Sequence, residues 1–174
     1  NLDVDSPLRL GETADPNFTV LNNWPLEKLK LGHTHQFELA CNWKIFWENF
    51  VECYHCPGIH KSLCDMVPIY QRTFVSKKDE QGWEKLQGEG DPKFCGGLKH
   101  GAKSWTTDGQ LQGTQFSGLN ANEIQAGFTY LQSLPSVFIV AHSDYVRTVS
   151  LLPDGPEAIS LTADWLLAKE SLDL

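Results

Sequence analysis

Asn42 to Cys64, NWKIFWENFVECYHCPGIHKSLC, is the stretch on which the reading of the whole chain turns. From Trp43 to Cys56 the pattern is helical, with Ile45, Phe46, Phe50 and Cys53 suited to one buried face. Pro57-Gly58 is expected to end that helix, because Pro57 offers no N–H and its ring collides with the carbonyl four residues back. On an unbroken helix His55 and His60 would point about 140° apart. A bend between them lets both imidazoles converge on one point, as a pair of metal ligands must. Glu52, three residues before His55, is placed to accept its Nδ1–H and so fix the ring's tautomer and direction. Asn49, about a turn further back, can aim a neutral amide at an open metal position.

Two other readings stand beside this one. Histidines near a helix end also serve as solvated or capping groups, with Glu52 an exposed partner for Lys44 or Lys61. Cys53, Cys56, His60 and Cys64 nearly match a zinc knuckle, for which zinc would prefer thiolates to a carboxylate. Two of its spacings are one residue short, and Cys53 falls on the apolar stripe of the helix.

Outward from this stretch, residues 1–36 read as loop and short extended segments, with LNNWPLEKLKLG (21–32) a helical turn. HQFELACNWK (35–44) alternates as a strand does. Residues 68–83 suggest a strand and turn, and LQGEGDPKFCGGLKHGAK (86–103) a glycine-rich loop. Strand-like runs follow at 104–114, 128–143, 144–152 and 158–169, with LPDGPE (152–157) as a turn. One helix followed by a meander of strands predicts the α+β class, an antiparallel sheet with the helix on one face. Phe138, Val140 and His142 alternate along one strand, where they either line a pocket or fill the sheet core. Trp43 and Trp165 are expected in the core.

Composition narrows the function classes. A chain of 174 residues with 41% hydrophobic content suits one compact domain. No run approaches the ~20 apolar residues of a membrane helix, and the polar start NLDVDSPLRL does not read as a signal or transit peptide. A net charge of −8 argues against nucleic-acid binding and draws cationic substrates in. The odd number of cysteines, 5, crowded mostly into one stretch, argues for reduced thiols and a cytoplasmic setting.

The pattern NWKxxxENxxExYHxxxxH, carried by Asn42, Trp43, Lys44, Glu48, Asn49, Glu52, Tyr54, His55 and His60, resembles the catalytic-domain signature of Rieske-type non-haem iron oxygenases, the ring-hydroxylating family. LPSVFIVAHSDYVRTVSLLPDGP (134–156) is similar to that family's late strands, so the resemblance spans roughly residues 24–167. It implies a helix-grip fold, a curved antiparallel sheet around a long helix. It implies that His55 and His60 bind a mononuclear Fe(II), with Glu52 as the acidic bridge to a neighbouring subunit's Rieske cluster and Asn49 close to the iron. Glu in ECYHC resembles the branch that demethylates betaines and related quaternary ammonium compounds, although aromatic-ring hydroxylation stays open. The resemblance further implies O2 and a small organic substrate, a [2Fe-2S] cluster, NAD(P)H electrons through a reductase or ferredoxin, and a homotrimer.

Two parts of the family pattern are missing from residues 1–174. No paired C-x-H and C-x2-H halves of a Rieske cluster occur. No carboxylate sits in the context of the third iron ligand: Asp164 lies in a strand-like run and Asp173 at the chain end. The chain is therefore expected to be a catalytic piece, inactive alone, whose Rieske domain precedes it and whose ligand-bearing helix follows it. A metal-free helix-grip domain binding a small ligand is the remaining alternative.

Overall fold

The computed structural model describes residues 16–72, 80–133 and 136–172. Strand β1 (Lys30–Leu39) precedes helix α1 (Trp43–Val51), the one-turn helix α2 (Cys56–Ile59) and helix α3 (Lys61–Met66). Helices α4 (Glu80–Gly88), α5 (Pro92–Cys95) and α6 (Ala121–Ala126) lead into strands β2 (Phe128–Ser133), β3 (Val137–His142), β4 (Tyr145–Pro153) and β5 (Ile159–Leu167). The strands form one antiparallel sheet in the order β1-β5-β4-β3-β2. The α+β class is the expected one, and the sheet stays open. The helix laid on it among the described residues is the nine-residue α1 and not a long one.

Period-two alternation builds a core on both faces of the sheet. Phe138, Val140, Val149, Leu151, Ile159, Leu161 and Ala163 face α1 and pack with its buried Trp47, while Trp43, Phe46, Phe50 and Trp165 close the margins. Leu131, Ala141 and Val146 face the other way and meet Leu21, Trp24, Phe116 and Leu119. The spacing of Trp43, Phe46, Trp47 and Phe50 is that of one helix face. Ile45 lies off that face and is exposed, correcting its expected burial.

Asn42 fixes where α1 begins. Its side chain accepts from the Lys44 N–H at 2.9 Å and donates to the Pro156 carbonyl at 2.7 Å, tying the helix start to the β4–β5 turn. The helix ends at Val51, before the expected Cys56. Glu52 is extended (φ −112°, ψ 146°) and its carboxylate takes the Tyr54 N–H at 2.5 Å, a local bond that competes with another helical turn. Pro57 then opens α2 rather than closing α1, sitting in the first turn where a missing N–H has no intrahelical partner to lose.

Three further expectations are corrected. The first strand runs Lys30–Leu39, earlier than 35–44. Segment 68–83 contains a 3-10 turn (Pro68–Gln71) and the start of α4, with 73–79 outside the described residues. Segment 104–114 is no strand: Asp108 accepts from Thr106 Oγ1 and the Gln110 N–H, both at 3.0 Å, and Gly109 takes φ +75°, so the chain turns on itself. That loop is pinned by Asp144, which accepts from Ser104 Oγ at 2.5 Å and the Gln112 N–H at 2.6 Å. Tyr145 Oη donates to the Trp105 carbonyl at 2.7 Å, holding Trp105 beside the sheet. No described helix is long and apolar enough to cross a membrane.

Candidate metal centre

His55 and His60 stand at the two ends of α2. A single helical turn joins them, closed by the Ile59 N–H to His55 O (3.1 Å) and His60 N–H to Cys56 O (2.8 Å) bonds. Their ring centroids lie 5.1 Å apart with planes at 76°. That separation is of the size required when two imidazoles share one ion through metal–nitrogen bonds of roughly 2.0–2.1 Å. The short helix thus supplies the bend that the sequence demands, by stopping α1 early and starting a new turn.

Glu52 lies beside this pair. Its Oε1 is 2.5 Å from His55 Nδ1, while Oε2 holds the Tyr54 N–H. The hydrogen bond from His55, followed by that from the Tyr54 backbone, holds the Glu52 carboxyl below the usual carboxylate range. An ionised Glu52 keeps the His55 proton on Nδ1, which leaves the Nε2 lone pair free for a metal. The donor set therefore suits a divalent metal with neutral imidazole ligands.

No group of three His, Cys, Asp or Glu side chains forms a metal site among the described residues. Asp164 sits on β5 and accepts from Thr34 Oγ1 at 2.7 Å, as a cross-strand partner. Asp173 lies outside the described residues. The zinc-knuckle reading fails on sulfur: Cys53 and Cys56 are joined as a disulfide, and Cys64 is buried, its thiol pushed up by desolvation. The bridge also corrects the expectation that the thiols all stay reduced.

A cavity of about 480 Å³ opens in front of the histidines, a volume typical of small-molecule sites. Asn49 and Glu52 border it, and Phe50, Tyr70, Trp105 and Tyr130 give it aromatic walls. The Tyr70 and Tyr130 hydroxyls hydrogen-bond to each other, and burial keeps both phenols protonated. Arg147 reaches the cavity from β4.

Of the three pocket residues expected on β3, Phe138 and Val140 are core residues beneath α1, with the Phe138 ring 4.1 Å from that of Phe50. His142 is buried behind the cavity, stacked on Tyr145 at 4.1 Å and edge-on to Trp105 at 5.6 Å. Sequence reasoning missed Tyr130 and Arg147. A charge at an inward position of an alternating strand, in phase with Val149 and Leu151, is the signal that marks Arg147.

Residues 26–173 match the family described as ring hydroxylating alpha subunit (catalytic domain). The chain belongs to this ring-hydroxylating family. It is similar to the glycine betaine monooxygenase oxygenase subunit of Chromohalobacter salexigens, 24% identical over 97% of this chain and 42% of that one. It is also similar to the chloroplastic choline monooxygenase of Beta vulgaris, 25% identical over 83% of this chain and 27% of the relative. A carnitine monooxygenase oxygenase subunit of Acinetobacter baumannii is 28% identical over 46% of this chain and 23% of its own. The chain thus spans less than half the length of these relatives. In fold it matches the quaternary ammonium Rieske monooxygenase CntA, with a TM-score of 0.58 at 17% identity over 98% of this chain and 39% of CntA. A second structure of a quaternary ammonium Rieske monooxygenase, described in terms of carnitine oxidation and inter-subunit electron transfer, gives a TM-score of 0.56 at 15% identity over 98% of this chain and 40% of that one.

Proposed function

We propose that the chain is the iron-bearing catalytic domain of an O2-dependent Rieske-type oxygenase that hydroxylates a quaternary ammonium compound at an N-methyl carbon. The observation that carries this reading is the 2.5 Å contact of Glu52 with His55 Nδ1, which leaves Nε2 of His55 free, in a ring 5.1 Å from that of His60. His55 and His60 would hold Fe(II), whose third protein ligand is a carboxylate outside the described residues. Bound there, the iron supplies O2 activation at its open positions.

The chain's own residues do the rest. His55 and His60 would be neutral ligands, so that a carboxylate would compensate the charge of the ion only in part. Glu52 orients His55 and would serve as the acidic bridge from it to a neighbouring subunit's [2Fe-2S] cluster in a homotrimer. Asn49 presents an uncharged amide at the cavity margin. Phe50, Trp105 and Tyr130 exclude water, and their faces attract a quaternary cation by ~0.5–2 kcal/mol each. The named substrates of the relatives, glycine betaine, choline and carnitine, favour this class over an aromatic ring.

One oxygen atom of O2 enters the N-methyl C–H bond and the other leaves as water. NAD(P)H supplies the two electrons through a reductase or ferredoxin. The resulting N-hydroxymethyl group then breaks its C–N bond, releasing formaldehyde, a proton and the amine. A cytoplasmic setting, where NAD(P)H is at hand, suits such a reaction. The test is the full-length protein with a reductase, NAD(P)H and O2, scored for formaldehyde from a panel of quaternary ammonium compounds. Formaldehyde in step with O2 uptake is expected. Turnover of aromatic hydrocarbons alone, or a full-length protein without mononuclear iron, would overturn the reading.

A further inference from the structure

Arg147 is a half-buried cation at the cavity. The chain carries 22 Asp and Glu against 14 Lys and Arg, so acidic partners are plentiful. Yet among the described residues no carboxylate pairs with Arg147; the ion pairs found are His55–Glu52, Lys85–Glu89 and Lys99–Asp65. Its Nε is buried without a hydrogen-bond partner. It is half-buried on β4, opposite Val140 on β3 and Trp165 on β5, and reaches the same cavity as His55 and His60.

The groups around it leave the charge uncompensated. Burial keeps Tyr130 and Tyr145 protonated, and burial followed by the guanidinium itself holds His142 neutral. Nearby Asp144 is engaged by Ser104 and by the Gln112 and Gly113 N–H groups. A guanidinium with a desolvated, unpaired N–H is costly unless an anion completes it. Its planar fork is the shape that takes a carboxylate through two parallel bonds.

We infer that Arg147 is the anion subsite of the cavity and selects quaternary ammonium substrates that also carry a carboxylate. The inference rests on the reading of the site as a quaternary ammonium oxygenase. The carboxylate would sit on Arg147, on the sheet side, and the methylated nitrogen among Phe50, Trp105 and Tyr130, toward the two histidines. A zwitterion then satisfies both ends of the cavity. A plain cation such as choline meets the aromatic walls but is repelled by an unneutralised guanidinium.

The test compares glycine betaine with choline on the full-length holoprotein, by calorimetric binding and by O2-coupled turnover. Wild type should favour the carboxylated compound by at least about tenfold. Arg147→Gln should lower affinity for glycine betaine by roughly 10- to 100-fold, the scale of a lost charge-assisted pair, while binding choline more tightly. Arg147→Lys should restore part of the preference, since it keeps the charge and loses the fork. Equal loss for both compounds in Arg147→Gln, or a wild type that takes choline as well as glycine betaine, overturns the subsite and leaves the oxygenase reading standing. If Arg147→Gln does not fold, the wild-type preference and Arg147→Lys decide. A wild-type holoprotein that binds no quaternary ammonium compound overturns both.

Discussion

Glu52 Oε1 lies 2.5 Å from His55 Nδ1, and the same carboxylate ends helix α1 by capturing the Tyr54 N–H. One side chain therefore sets both the chain direction that brings His55 toward His60 and the tautomer that leaves Nε2 free. This dual use separates the contributions of shape and charge. Glu52→Gln keeps the size of the side chain, removes its charge and leaves one acceptor oxygen where the carboxylate used two. Mononuclear iron should persist while electron arrival from the cluster slows, by about 10-fold or more on the scale of lost partners of metal ligands. Single-turnover rates on the pre-reduced protein measure it. Unaltered rates would remove Glu52 from the path between the centres.

The two histidines have no substitutes in reach, since no third side chain of the right type joins them among the described residues. His55→Ala and His60→Ala should each empty the mononuclear site of the full-length protein and leave its Rieske absorption intact. Iron counted per subunit, together with the cluster's spectrum, gives the answer. A variant that keeps mononuclear iron would show that its imidazole is not a ligand.

Phe138 was a candidate for the pocket, and its place under α1 gives a different expectation. It is buried against Trp47 and Phe50, whose rings lie 5.8 and 4.1 Å from its own. Phe138→Ala should cost about 3–5 kcal/mol of stability by opening a cavity in the main core, read as a lower denaturant midpoint. Among molecules that remain folded the KM for substrate should hold near wild type. A large KM change with unaltered stability would return Phe138 to the substrate wall.

The asymmetry between what the sequence discloses and what it hides has physical causes. The strands β3 to β5 are legible because β-branched and other apolar residues run through them, as packing on both faces of the sheet requires. The His55–His60 pair is legible because residue type and spacing carry its chemistry. The point where α1 stops is not, since Glu52 decides it through a side-chain bond to Tyr54 that no periodicity encodes. Likewise the 104–114 segment has a strand's composition, but the turn at Asp108-Gly109 and the pin at Asp144 are local and long-range bonds respectively. Tyr130 and Arg147 join the cavity only through the pairing of β2, β3 and β4, which is a fact of topology.

His142 gives the fold a pH dependence whose sign follows from its surroundings. The ring is buried between Tyr145 and Trp105, neither of its nitrogens has a described partner, and Arg147 is close enough to oppose a second positive charge. Burial first, and Arg147 second, depress its pKa from 6.5 to about 3. The unfolded chain takes up the proton near 6.5 while the folded protein refuses it until about 3. This contribution is therefore fully present above about pH 6.5 and is lost as pH falls across that window. The slope approaches roughly 1.4 kcal/mol per pH unit from this residue. His142→Phe keeps a flat ring against Tyr145 and removes both the titration and two unpartnered nitrogens. Its denaturant midpoint should be at least that of wild type near pH 7 and should decline less steeply toward pH 4. An identical decline in both proteins would place the acid sensitivity elsewhere in the molecule.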